Sequence, residues 1–166
     1  LIPEKNQLWI SNGIKSWCES RDGTFLKTNP LQKKGKFQDM TIVTSKNHRN
    51  QTLKKVIEKL NFKDQIVMGS VGCKIASILR GESNIYICLS LPGKSSPKDW
   101  DFAAPEAILK TAGGSLTNLN NSGLSYGGSN FEQGGIIVAT SDKFSHKFIC
   151  SEIMQIVRKF DLYPFD

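Results

Sequence analysis

The sequence has no initiator Met, no secretory leader pattern and no apolar run approaching the roughly 20 residues that cross a bilayer. Histidine is scarce, with two in all. The four cysteines, Cys18, Cys73, Cys88 and Cys150, include no Cys-x-x-Cys pair and no matching pair of histidines. These absences argue against a membrane span, a zinc site and a disulfide frame, and they point to free thiols in a reducing cytoplasm. No internal repeat or low-complexity tract is present. Acids are short relative to bases, which leaves a net charge of +7.

What is present suits one soluble domain with a real core: 166 residues, 39% apolar and 22% charged. The positive balance implies an acidic partner. Apart from Lys33-Lys34-x-Lys36 the bases are dispersed. That partner could be nucleic acid, a membrane surface or a phosphorylated small molecule, and the dispersed pattern reads as a solvated loop rather than a nucleic-acid stripe.

Residues 4–28 carry short strand patterns at Gln7-Leu8-Trp9-Ile10, Gly13–Cys18 and Thr24–Lys27. Asn12-Gly13 and Asp22-Gly23 supply hairpin turns between them. Three such strands do not complete a sheet, and Leu1-Ile2-Pro3 reads as a strand end entering a turn, so the chain is expected to be a fragment. Residues 1–38 are read as the remaining antiparallel strands and a polar linker, and 39–166 as an α/β domain. In the latter, strands are expected at Met40–Thr44, Gln65–Met68, Asn84–Leu89, Ser115–Leu119, Leu124–Tyr126 and Ile136–Ala139. Helices are expected from about Asn50 to Leu60, Val71 to Arg80, Asp101 to Ala112 and Asp142 to Phe160. The last helix is read with Phe144, Phe148, Ile149, Ile153, Ile156, Val157 and Phe160 inward, and His146 solvated or at the core edge.

The third helix organises the functional reading. Asp101 is taken as its N-cap, Pro105 as part of its first turn, and Gly113-Gly114 as its left-handed ending. Ala103, Ala104 and Ala107 suggest close approach to a neighbour. Ser45-Lys46-Asn47-His48, Gly69-Ser70 and Trp100-Asp101 each follow a strand and precede a helix, which is where α/β sheets bind ligands. Helix starts there offer N–H groups to an anion.

Gly69-Ser70-Val71-Gly72-Cys73-Lys74, Gly81, Tyr86, Trp100-Asp101-x-Ala103-Ala104 and Ala112-Gly113-Gly114 together resemble the C-terminal half of the inositol monophosphatase superfamily. Ser45 and His48, with Lys74 after the Gly-Ser pair, resemble its 3'(2'),5'-bisphosphate nucleotidase branch. The resemblance implies a layered α/β sandwich and a Mg²⁺-dependent phosphomonoesterase, with Asp101 as a Mg²⁺ ligand. It implies that Ser45, His48, Gly69, Ser70 and Lys74 bind substrate, Lys74 meeting a second phosphate as a point charge. Family members are often dimers. The family's Glu-Glu pair and Asp-Pro-x-Asp-Gly-Thr motif are absent, and Arg21-Asp22-Gly23-Thr24 lacks the leading Asp-Pro and is read as a turn. The chain by itself is therefore expected to hold no catalytic residue and to depend on an N-terminal half. Lys94 leans towards a doubly phosphorylated substrate, whereas Cys88 stands near where nucleotidases carry a phosphate-binding arginine. The resemblance implies a phosphorylated small-molecule substrate, with no nucleic acid polymer and no membrane as partner; the expected substrate is 3'-phosphoadenosine 5'-phosphate or its sulfated relative, in sulfur assimilation or nucleotide recycling. The alternatives are an inositol-phosphate or sugar-bisphosphate phosphatase, or a non-catalytic phosphate-binding module.

Overall fold

A computed structural model of the chain describes residues 1–26, 36–46, 50–128 and 130–165. It opens with an antiparallel sheet in the order β1 (Gln7–Ser11), β2 (Ser16–Ser20), β3 (Phe25–Leu26). Gly13 and Gly23 make its turns at φ of +85° and +83°, a region costly for any residue with a Cβ. Asn12 Oδ1 accepts the Ile14 and Lys15 amides, and Asp22 Oδ1 accepts the Thr24 amide at 3.0 Å. Arg21-Asp22-Gly23-Thr24 is thus a hairpin turn.

The second sheet has five strands, β4 (Thr41–Ser45), β5 (Asp64–Met68), β6 (Ile85–Ser90), β7 (Ser115–Asn118) and β8 (Gly135–Thr140), in the order β5-β4-β6-β8-β7. β4 runs parallel to β5 and β6, while β8 runs antiparallel to β6 and β7. Every residue of β6 is buried, as a near-continuous apolar strand covered on both faces must be. The covering helices are α1 (Gln51–Leu60), α2 (Val71–Leu79), α3 (Asp99–Thr111) and α4 (Lys143–Lys159).

Leu53, Val56 and Leu60 of α1 and Ile149, Ile153 and Val157 of α4 pack on Ile42, Ile85, Ile87 and Val138 of one sheet face. Val71, Ile75 and Ile78 of α2 and Phe102 and Leu109 of α3 pack on Val43, Tyr86, Ile137 and Ala139 of the other. Trp9 of β1 joins this second core, and Ser11 Oγ meets Thr111 Oγ1 at 2.9 Å. The layers are therefore α1/α4, five-stranded sheet, α2/α3 and antiparallel sheet, the layered α/β sandwich that the sequence led us to expect.

Several expectations are corrected. α3 begins at Asp99, and Asp101 is its third residue rather than its cap; Asp101 Oδ2 accepts the Lys98 amide at 2.9 Å in a capping box. Pro105 therefore lies inside the helix, where it has no N–H to give the Asp101 carbonyl. Ala103, Ala104 and Ala107 face solvent, because Phe102, Glu106 and Leu109 form the buried stripe. No strand forms at 124–126. That segment is held as loop against α3, by Tyr126 Oη on Glu106 and by Asp99, which accepts Gly127 N at 2.7 Å and Gln133 Nε2 at 2.5 Å. In α4, Phe144 and Phe148 are exposed, while His146 is buried among Thr117, Thr140 and Cys150. A phenylalanine at helical spacing looks like core, but the inward stripe is set by His146, Ile149, Cys150, Ile153 and Val157.

Candidate functional site

The parallel strands β4, β5 and β6 all end on one edge of the five-stranded sheet. From β4 the chain passes to α1 on one face, and from neighbouring β5 to α2 on the other, which opens a crevice at the strand ends. A cavity of about 620 Å³ occupies it, lined among others by Ser45, Asn50, Gly69, Ser70, Lys74, Tyr86, Cys88, Ser90, Lys94 and Asp101. Five of the six residues singled out from the sequence, Ser45, Gly69, Ser70, Lys74 and Asp101, thus share one cavity. His48 lies outside the described residues.

Each polar side chain is placed by local chemistry. Ser45 is the last residue of β4 rather than the first of a loop. Ser70 is the N-cap of α2, its Oγ accepting the Cys73 amide at 3.0 Å. The cap sets the positive end of α2 against the cavity. Asp101 reaches the same space from the first turn of α3.

Lys74 is the unusual group. It is 2% exposed, and its Nζ turns back to donate to the Gly69 carbonyl at 2.8 Å. The ammonium sits 5.1 Å from the ring centroid of buried Tyr86. Among the described residues no carboxylate lies within ion-pair distance of it. Burial pushes the Lys74 pKa below the usual lysine value, opposed by the negative charge of Asp101. A desolvated cation without a counter-ion is costly, and an anion entering the cavity would offset that cost.

Ser45 of β4 and Tyr86 and Cys88 of β6 line the same cavity. Burial raises both the Tyr86 and the Cys88 pKa, so both stay protonated and neutral. Asn50 was not singled out from the sequence, although its place before an amphipathic helix is a cap signal. Its Oδ1 caps α1 by accepting the Leu53 amide at 2.7 Å, and its Nδ2 donates to the Leu89 carbonyl at 3.0 Å. It ties the start of α1 to the end of β6, the two walls of the crevice. Ser90 at the end of β6 and Ser96 in the loop after it also line the cavity, but such serines carry no distinctive sequence signal.

Among the described residues no group of three or more His, Cys, Asp or Glu is placed to hold a metal. Among the described residues that line the cavity Asp101 is the one carboxylate, with one oxygen already engaged by the Lys98 amide. That does not amount to a Mg²⁺ site, since the ion needs further carboxylate or phosphate oxygens around it. No helix among the described residues is long and apolar enough to cross a membrane.

The sequence pattern of the inositol monophosphatase family matches residues 2–158. Mouse 3'(2'),5'-bisphosphate nucleotidase 1 is 35% identical over 85 residues, covering 51% of this chain and 26% of that protein. The 3'(2'),5'-bisphosphate nucleotidase CysQ of Buchnera aphidicola is 32% identical over 111 residues, covering 67% of this chain and 38% of that protein. Staphylococcal IMPase-II superposes with a TM-score of 0.66 at 18% identity, covering 93% of this chain and 56% of that structure. The chain therefore spans only part of the length of the relatives it matches.

Proposed function

The chain belongs to the inositol monophosphatase family, and on that premise we propose that it carries the phosphate-recognising part of a phosphatase acting on a 3'(2'),5'-bisphosphate nucleotide. The observation that carries this reading is Lys74, a buried cation without a carboxylate partner in the wall of a cavity it shares with Ser45, Ser70, Lys94 and Asp101. A substrate with two phosphates would need two separated positive regions. Lys74, with the start of α2, would form one, and Lys94, an exposed residue of the same lining, would form the other. Ser45 and Ser70 add hydroxyls that hold a phosphate or ribose in place. Identity to bisphosphate nucleotidases in mouse and Buchnera supports the substrate class.

The Mg²⁺ dependence expected from the family rests here on Asp101, which would contribute one ligand. Further carboxylates would have to come from a part of the fold that this chain does not span. Under this reading the isolated chain binds the bisphosphate without hydrolysing it, and the complete protein releases phosphate to leave AMP. Four free cysteines fit a reducing compartment such as the cytoplasm.

The test is phosphate release by the complete protein from 3'-phosphoadenosine 5'-phosphate and from inositol 1-phosphate with Mg²⁺. A preference for the bisphosphate of about ten-fold or more is expected, since one charge-assisted contact is worth that much. Asp101→Asn should abolish the activity while leaving nucleotide binding within a few-fold. A preference for inositol 1-phosphate would select the inositol branch instead. Undiminished turnover in Asp101→Asn would remove Asp101 from the metal role.

A further inference from the structure

Leu89 and Ser90, the last two residues of β6, lie beyond the residues of that strand that pair with β4. The carbonyl of each is taken by a side chain from elsewhere in the fold. Leu89 O accepts Asn50 Nδ2 at 3.0 Å, and Ser90 O accepts the Tyr163 hydroxyl at 3.2 Å. Asn50 opens α1, whereas Tyr163 follows α4 and stands 73 residues beyond Ser90 in the chain.

Tyr163 is brought there by the way α4 ends. Asp161 adopts φ of +48°, and the Leu162 amide donates back to the Val157 carbonyl at 2.9 Å, which reverses the chain. Leu162 and Tyr163 then pack on the core that α1 and α4 share with the sheet. The Tyr163 ring meets Phe165 at a centroid distance of 5.3 Å, and the Arg158 guanidinium lies 5.5 Å from the Phe165 centroid. A ring fixed by these contacts presents its hydroxyl to Ser90 with little further loss of entropy.

Ser90 is also the root of the loop that runs from β6 to α3. That loop lines the cavity with Leu91, Lys94, Ser95, Ser96 and Pro97. Its far end is tied separately, by Gln133 N to the Pro97 carbonyl at 2.8 Å and by Lys98 Nζ to Glu132 at 2.8 Å. Near the root, Gly93 turns at φ +70° and the Lys94 amide donates to the Leu91 carbonyl at 3.1 Å. Lys94 is therefore placed by a tight turn that starts one residue after Ser90.

We propose that Tyr163 is a positioning residue for the cavity: by holding the Ser90 carbonyl it fixes the root of the Lys94 loop, and so the point at which Lys94 meets a phosphate. The inference deepens the reading above, because it takes Lys94 as a phosphate contact. Tyr163 does not line the cavity itself and acts only through Ser90 and the loop.

Tyr163→Phe removes the hydroxyl and keeps the ring against Phe165. In the 166-residue chain it should weaken binding of adenosine 3',5'-bisphosphate about three-fold or more by titration calorimetry, as the loss of one neutral hydrogen bond would. In a Lys94→Ala background the same substitution should change the affinity by less than about 1.5-fold, since no cation is left to misplace. In hydrogen exchange followed by NMR, the Lys94 amide should exchange about three-fold or more faster in Tyr163→Phe. The Leu53 amide, capped by Asn50, should keep its rate. Equal weakening in both backgrounds would make Tyr163 a general packing residue and overturn the proposal. So would undiminished affinity in Tyr163→Phe, an unchanged Lys94 exchange rate, or a Lys94 amide already exchanging at the free-peptide rate in the unsubstituted chain. Should the unsubstituted chain bind no bisphosphate, the substrate reading alone fails, and the Lys94 exchange rate decides whether Tyr163 holds the loop.

Discussion

At the scale of single residues, Lys74 and His146 are opposite solutions to burying a titratable group. Lys74 keeps a buried charge with one carbonyl and one ring for company, an arrangement that disfavours the folded state until an anion arrives. Lys74→Met, which keeps the length of the side chain, should leave thermal stability unchanged or raised while weakening binding of adenosine 3',5'-bisphosphate about ten-fold or more by titration calorimetry. A residue kept for packing would show the reverse. His146 is buried neutral, hydrogen-bonded at Nδ1 to Thr140 and at Nε2 to Thr117, each at 2.8 Å. Burial lowers its pKa to about 4. Between that value and the ordinary histidine value of about 6.5 the unfolded chain binds more protons than the folded one, so stability falls as pH drops through this window. Urea midpoints should decline from pH 7 to pH 4, and His146→Gln should flatten the decline. His146 was read from sequence as solvated or core-edge, since a lone polar residue among phenylalanines gives no sign that two threonines wait across the sheet.

At the scale of elements, the ends of helices were legible and their beginnings less so. α3 closes as expected, with Gly113 at φ +97° and with Gly113 N bonded to Lys110 O and Gly114 N to Leu109 O. Gly114 has a second reason to be glycine. A Cβ there would come within 2.6 Å of the Thr140 carbonyl of β8 and 2.6 Å of Leu109 Cδ1. Gly114→Ala should therefore cost about 1–3 kcal/mol, read from the urea midpoint. The start of α3 was misplaced by two residues because Asp serves both as an N-cap and as the third residue of a capping box. The inward face of α4 was misread because Phe144 and Phe148 fall on a plausible apolar stripe that the sheet does not meet.

At the scale of the whole molecule, a net charge of +7 gives the cavity a positive surrounding field. The affinity of the chain for adenosine 3',5'-bisphosphate should fall several-fold between about 50 mM and 500 mM salt as screening shortens to a few ångströms. Binding of unphosphorylated adenosine should not change. The sequence by itself determined the alternation of strands and helices, the hairpin turns and the stops of α2 and α3. Each depends on neighbours in the chain: period, glycine φ and side-chain caps. Only the tertiary structure decided that Ser45, Ser70, Lys74 and Asp101 meet in one cavity and that the Lys74 side chain is buried there. Those depend on the strand order β5-β4-β6 and on which face each helix covers, relations between segments far apart in the chain that local pattern does not encode.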